Sequence, residues 1–247
     1  MRNLHKYYYK DYFAGADFSP LLNGGDSAMR DLKEKNQNLC SPNLLKVIEK
    51  SPLVNTVFTL EIQYPGLVTG VGIKHETKIE GEFKLGVHFD WTHGMPVVYG
   101  SSVKGVLRAW FKEFYKPTTD QPSVDDAFNS IFEGKENGKS KSIYERDIFF
   151  DAVIVEADSK GRILASDSIT PHGGENHDNP LMNPTPLTFM KIASGCTMEF
   201  RFKLVDTIID GKKFTAAQKK TLFEEILKTV GVGAKTNVGY GQLTDIR

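Results

Sequence analysis

Two stretches of strict alternation set the frame for this chain. From Asn55 to Tyr64, Phe58, Leu60, Ile62 and Tyr64 fall on one face and Thr59, Glu61 and Gln63 on the other. From Thr197 to Val205, Met198, Phe200, Phe202 and Leu204 alternate with Glu199, Arg201 and Lys203. A period of two belongs to strands that bury one face. Two helical patterns accompany them. Over Ser101 to Tyr115, Val103, Val106, Leu107, Trp110, Phe111 and Phe114 form an apolar stripe, and Lys104, Arg108 and Lys112 a basic one. Ser101 or Ser102 is the expected N-cap, and Pro117 the stop. The second helix starts at Thr215, with Gln218 completing a capping box. It buries Leu222, Phe223, Ile226, Leu227 and Val230 and ends at Gly231.

The β-branched run Ile148 to Ala157 reads as an inner strand, and residues 239–246 as a last one. The order is strand, helix, strand, strand, helix, strand. It predicts an α+β fold, a ferredoxin-like (RRM-like) β-α-β-β-α-β domain with insertions. Shorter helices are expected at 28–39 and 123–132, and a charged turn at 133–142. The division expected is an N-terminal extension, 1–54, packed on a domain of 55–247. The proline-, asparagine- and glycine-rich stretch 168–187 reads as an irregular insertion.

With 247 residues the chain is long enough to bury a core of its own. Its formal net charge is +0, so any site for a polyanion must be local. Cys40 and Cys196 sit in no CxxC, which argues for two reduced thiols over a zinc ribbon or a disulfide scaffold. The N-terminus carries charges and tyrosines in place of a signal peptide's apolar run, and no window approaches a membrane span. A cytoplasmic protein with no membrane partner, no metal and no cofactor is expected.

Two segments can carry chemistry. In GVGAKTNVGYG, glycines stand at 231, 233, 239 and 241, with Lys235, Thr236 and Asn237 between them. Glycine lets main chains approach closely, and successive N–H groups can make an anion-binding nest. The plainer reading is a helix-capping glycine followed by a glycine-rich hairpin. In the second segment, GSSVKGVLR, a loop opens a helix through Gly100, Ser101 and Ser102. The helix start favours a phosphate, and Lys104 and Arg108 add charge beside it. The plainer reading there is a capped surface helix with a solvated basic face. The binding hypothesis expects the two turns to converge on one polyanion.

Together these motifs resemble a known family. GVGAKTNVGYG is similar to the GhGxxxxxGhG signature of the RAMP superfamily of CRISPR systems, and GSSVKGVLR resembles that family's helix-start motif. FDWTHGMPVVYG, FFDAVIVEADSKGRILASDSITPH and NPLMNPTPLTFMKIASGCTMEF resemble the sixth subunit of type III-B (Cmr) effector complexes. The resemblance spans about residues 56–246. It implies a non-catalytic RNA-binding subunit that contacts guide RNA toward its 3′ end, with target RNA and other RAMP subunits as partners. Carried over by residue, it implies RNA contact at Gly100, Ser101, Ser102, Lys104, Arg108, Gly233, Lys235, Thr236 and Asn237. The RRM aromatic signature is absent, so main-chain contacts through loops are expected over bases stacked on an open sheet.

The alternative is a RAMP-type, metal-independent endoribonuclease that processes guide RNA. Its acid and base would come from His88, Asp90 and His93, or from His172, His177 and Asp178. A third reading, a ferredoxin-like protein without nucleic acid, draws its support from the neutral net charge.

Overall fold

The computed structural model describes residues 3–14, 26–42, 44–70, 82–83, 86–169 and 187–246. The chain opens with α1 (Leu4–Tyr9), a 3-10 turn and α2 (Asp26–Leu39). Then come β1 (Thr56–Ile62), β2 (Val97–Val98), α3 (Gly100–Phe114) and α4 (Val124–Phe128). Next are the hairpin β3 (Lys135–Glu136) and β4 (Lys139–Ser140), then β5 (Ile148–Phe149) and β6 (Ala152–Glu156). The remainder is β7 (Leu164–Ile169), β8 (Leu187–Ile192), β9 (Thr197–Lys203), β10 (Thr207–Ile209), β11 (Lys212–Phe214), α5 (Ala216–Val230) and β12 (Leu243–Thr244).

The main sheet runs β12-β1-β9-β6-β2, with β5 also on β9, and every neighbouring pair is antiparallel. The expected succession is therefore present: β1, α3, β6, β9, α5 and β12, with β2 added outside β6. Phe58 of β1 stacks between Phe200 and Phe202 at 5.4 and 5.5 Å. Phe202 meets Phe223 of α5 at 5.8 Å, so this is the face the helices cover. In α3, Val103, Leu107 and Phe111 are buried, while Trp110, expected on that stripe, is 44 % exposed.

The other sheet face is closed as well. Glu199 and Arg201 alternate away from the helices, yet both are buried. Glu199 takes hydrogen bonds from Lys50 and Arg201, and Arg201 also donates to the carbonyls of Ile48 and Glu49. Burial works against ionisation of Glu199, but these donors hold its carboxyl below the usual range. The sequence marks these positions as the solvated side; residues 48–50 cover them instead. Leu4, Tyr7, Tyr8 and Tyr12 also join the main core, so the extension shares one core with the sheet.

Three further expectations change in detail. Tyr64 was expected on the buried face of β1, but the strand ends at Ile62 and Tyr64 stands out of the core. The last strand is shorter than 239–246, because a loop consumes its first half. The insertion at 168–187 is flanked by β7 and β8, which pair with each other; residues 170–186 between them lie outside the described residues. Both cysteines are free thiols, and burial pushes Cys40 to about 11 and Cys196 to about 12.

Candidate RNA interface

α5 begins with the expected capping box between Thr215 and Gln218 and ends at Gly231, whose φ is 74°. The glycine segment that follows folds back on itself. The Val232 amide donates to the Gly241 carbonyl (2.9 Å), and the Gly241 amide to the Gly66 carbonyl (2.8 Å). The Ala234 amide donates to the Val68 carbonyl (2.6 Å), and the Gln63 amide to the Gln242 carbonyl (2.9 Å). A Cβ on Gly233 would lie 2.4 Å from the Val68 oxygen, and one on Gly241 would lie 1.9 Å from the Val232 oxygen. The glycines thus serve close main-chain packing.

The tip of the loop differs from its base. Lys235 adopts the left-handed conformation (φ 61°, ψ 31°) and leads into a 3-10 turn over Thr236–Val238. The amides of Val238, Gly239 and Tyr240 turn inward onto the carbonyls of Lys235 and Thr236. Among the described residues, the amides of Lys235, Thr236 and Asn237 take no partner. A left-handed residue followed by a right-handed turn is the geometry that aims successive N–H groups at one anion. Lys235 and Asn237 are exposed, and among the described residues the Lys235 ammonium makes no ion pair. Behind the tip, Tyr240 packs edge-on to Phe189 and donates to Asp167, which also accepts from Lys191.

The helix start is built otherwise. Tyr99 occupies the N-cap, and neither Ser101 nor Ser102 caps the helix. The Gly100 amide donates to the Asp151 carboxylate (2.7 Å), and the amides of Ser102 and Val103 donate to the Tyr99 carbonyl. A Cβ on Gly100 would lie 2.2 Å from the Phe149 oxygen. The first amide offered to a phosphate is therefore taken by an acid. Ser101 is exposed and Ser102 half-buried. Lys104 lies over the Phe149 ring, and Arg108 pairs with Glu133 at 2.8 Å. That hydrogen bond is what chiefly holds the Glu133 carboxyl below its ordinary range. Beside Phe149 and Asp151 opens a cavity of about 320 Å³ whose charged lining is Glu49, Asp90, Asp151 and the already committed Arg201. This surroundings is acidic in balance.

The two turns do not converge. The start of α3 sits by Phe149, level with Phe202 near the end of β9 and toward the β2 edge. The glycine loop leads into β12 on the opposite edge, beyond the level where Glu61 pairs with Thr197. Five residues of strand separate those levels, about 17 Å at the rise of a strand. The expectation of one joint grip fails because β2 and β12 are opposite edges of the sheet.

Of the candidate acid-base groups, His88 stacks on Tyr99 at 4.9 Å, and Asp90 accepts from the amides of Thr92 and His93. His172, His177 and Asp178 lie outside the described residues. Among the described residues no cluster of His, Cys, Asp and Glu could hold a metal ion, and no helix is long and apolar enough to cross a membrane.

The fold and the loop define a class: an α+β chain whose antiparallel sheet is closed at one edge by a GhGxxxxxGhG turn. Comparison with known proteins names the family. The family model of the RAMP superfamily matches residues 19–244, and the chain belongs to that superfamily. A chain in the cryo-EM structure of the type III-B Cmr-beta bound to cognate target RNA aligns with a TM-score of 0.54 and 19% identity. The alignment covers 77% of this chain but 58% of that one, less than two thirds of its length. The crystal structure of Cmr6 from Pyrococcus furiosus aligns over 80% of this chain and 100% of that one, with 19% identity and a TM-score of 0.39. No curated protein sequence matches the chain.

Proposed function

We infer that this chain is a non-catalytic, RNA-contacting subunit of a type III-B CRISPR effector complex, equivalent to its sixth subunit. In this reading it holds guide RNA toward the 3′ end, beside other RAMP subunits and the target RNA. Membership of the RAMP superfamily and the fold shared with a chain of an RNA-bound type III-B assembly support the class. The observation that carries the RNA contact is the loop tip: among the described residues, three unpartnered amides at Lys235, Thr236 and Asn237 and the unpaired Lys235 ammonium, on a closely packed glycine base. Amides and a lysine read phosphates rather than base sequence, which suits a subunit that must accept many guides.

Ser101, Ser102, Lys104 and Arg108 are secondary contacts in this reading, reached by a different part of the RNA. Arg108 would exchange the solvent-exposed carboxylate of Glu133 for a phosphate, a small change because exposed pairs are weak. Gly100 contributes shape alone.

The test is RNA retention by the reconstituted complex as a function of salt. Lys235→Glu is expected to weaken retention on every guide sequence and to lower the log–log salt slope by about 0.7, the share of one phosphate on a single strand. Unchanged retention and slope would remove the loop from the interface. In parallel, labelled RNA incubated with the wild-type chain is expected to stay intact; cleavage lost in His88→Ala would install the endoribonuclease reading instead.

A further inference from the structure

The alternation of β1 would bury Tyr64 behind Phe58, Leu60 and Ile62, yet this side chain is 85 % exposed. The chain leaves the sheet at Gln63 and turns, the Gly66 amide closing onto the Gln63 carbonyl at 2.8 Å. This turn is tied to the glycine loop on both sides. The Gln63 amide binds the Gln242 carbonyl, and the Gly66 carbonyl accepts from Gly241. Pro65 Cδ lies 3.6 Å from where a Gly239 Cβ would be. The neighbouring Tyr240 amide donates to the Lys235 carbonyl, so one short path of contacts runs from Tyr64 to the loop tip. On the same loop Val238 is 63 % exposed. The result is an aromatic ring outside the core, on a turn bonded to the loop whose tip carries, among the described residues, three amides without a partner and an ammonium without an ion pair.

We propose that Tyr64 is a stacking platform for an unpaired base of the RNA whose phosphate sits on the Lys235–Asn237 tip. This rests on the RNA-contact reading of the loop and adds to it the form of RNA recognised: single-stranded, with at least one base turned toward the protein. A ring face beside a cationic groove is how single strands are held without sequence choice, since every base offers a π-face. A duplex keeps its bases stacked on one another and would leave Tyr64 idle. A protein partner would also cover the ring, but the amides and Lys235 of the loop bonded to its turn, unpartnered among the described residues, call for an anion.

The experiment uses the full chain and single-stranded RNA carrying 2-aminopurine, with an otherwise identical RNA in which that base is abasic. Wild type is expected to quench 2-aminopurine on binding. Tyr64→Ala is expected to lose the quench and roughly tenfold in affinity, while Tyr64→Phe and Tyr64→Trp keep both. On the abasic RNA, wild type and Tyr64→Ala are expected to bind alike. Lys235→Glu is run alongside. If Lys235→Glu weakens binding but Tyr64→Ala does not, the platform is wrong and the loop contact stands. If neither substitution changes binding, the RNA reading of the loop falls with it. If Tyr64→Ala leaves RNA binding intact but prevents incorporation into the effector complex, the ring is a protein contact and the proposal is overturned.

Discussion

Single atoms decide the shape of the terminal loop. Gly241 has φ 71° and no room for a methyl group, because a Cβ would overlap the Val232 carbonyl. Gly241→Ala is expected to lower stability by about 1–3 kcal/mol from backbone strain alone, read as a fall in the urea midpoint. Asp167 is a second such control point. Burial disfavours its charge, but hydrogen bonds from Lys191, the Ser168 amide and Tyr240 outweigh that and hold its carboxyl below the ordinary range. Its folded value lies below its unfolded one. Its contribution is therefore complete above the ordinary carboxylate pKa, roughly 4, and is lost as the pH falls through the lower folded value. Urea midpoints followed from pH 6 to pH 3 are expected to drop more for wild type than for Asp167→Asn. Tyr240 responds at the other end of the scale, since burial and then Asp167 push its phenol up to about 12.

At the scale of elements, α3 shows what local sequence can and cannot tell. Its apolar stripe announces the helix, and the structure starts it within one residue of the expected place. Its cap was not legible, because the acceptor for the Gly100 amide is Asp151, 51 residues further along the chain. Asp151→Ala is expected to cost about 1 kcal/mol, the usual worth of a helix cap, whereas Ser101→Ala and Ser102→Ala should change the thermal midpoint little. By contrast the capping box of α5 is complete within four residues, and the sequence displays it in full. Alternation located β1 and β9 equally well. It misassigned the polar face of β9, since nothing near Glu199 and Arg201 in sequence says that residues 48–50 return to cover them. It misplaced Tyr64 for a related reason: the pattern continues in phase past the point where the strand stops.

For the molecule as a whole, the candidate residues were legible and their arrangement was not. Glycine spacing marks the loop, but which end and which edge of the sheet it occupies follows from strand order, a property of the entire chain. A buried ion pair ties distant parts together. Lys219 of α5 and Asp147 ahead of β5 meet at 2.6 Å with no solvent exposure, and Lys219 also donates to the Val205 carbonyl. Burial pulls the Lys219 pKa down and Asp147 pulls against it. Lys219→Met strands the carboxylate and is expected to cost about 3–5 kcal/mol. The double replacement of Lys219 and Asp147 by apolar residues should recover most of that, as chemical denaturation of both variants would show.

The outermost strands of the main sheet, β2 and β12, are only two residues long each. Among the described residues β12 pairs only Glu61 and Ile62 of β1, so the outer edge of β1 from Thr56 to Leu60 carries no strand.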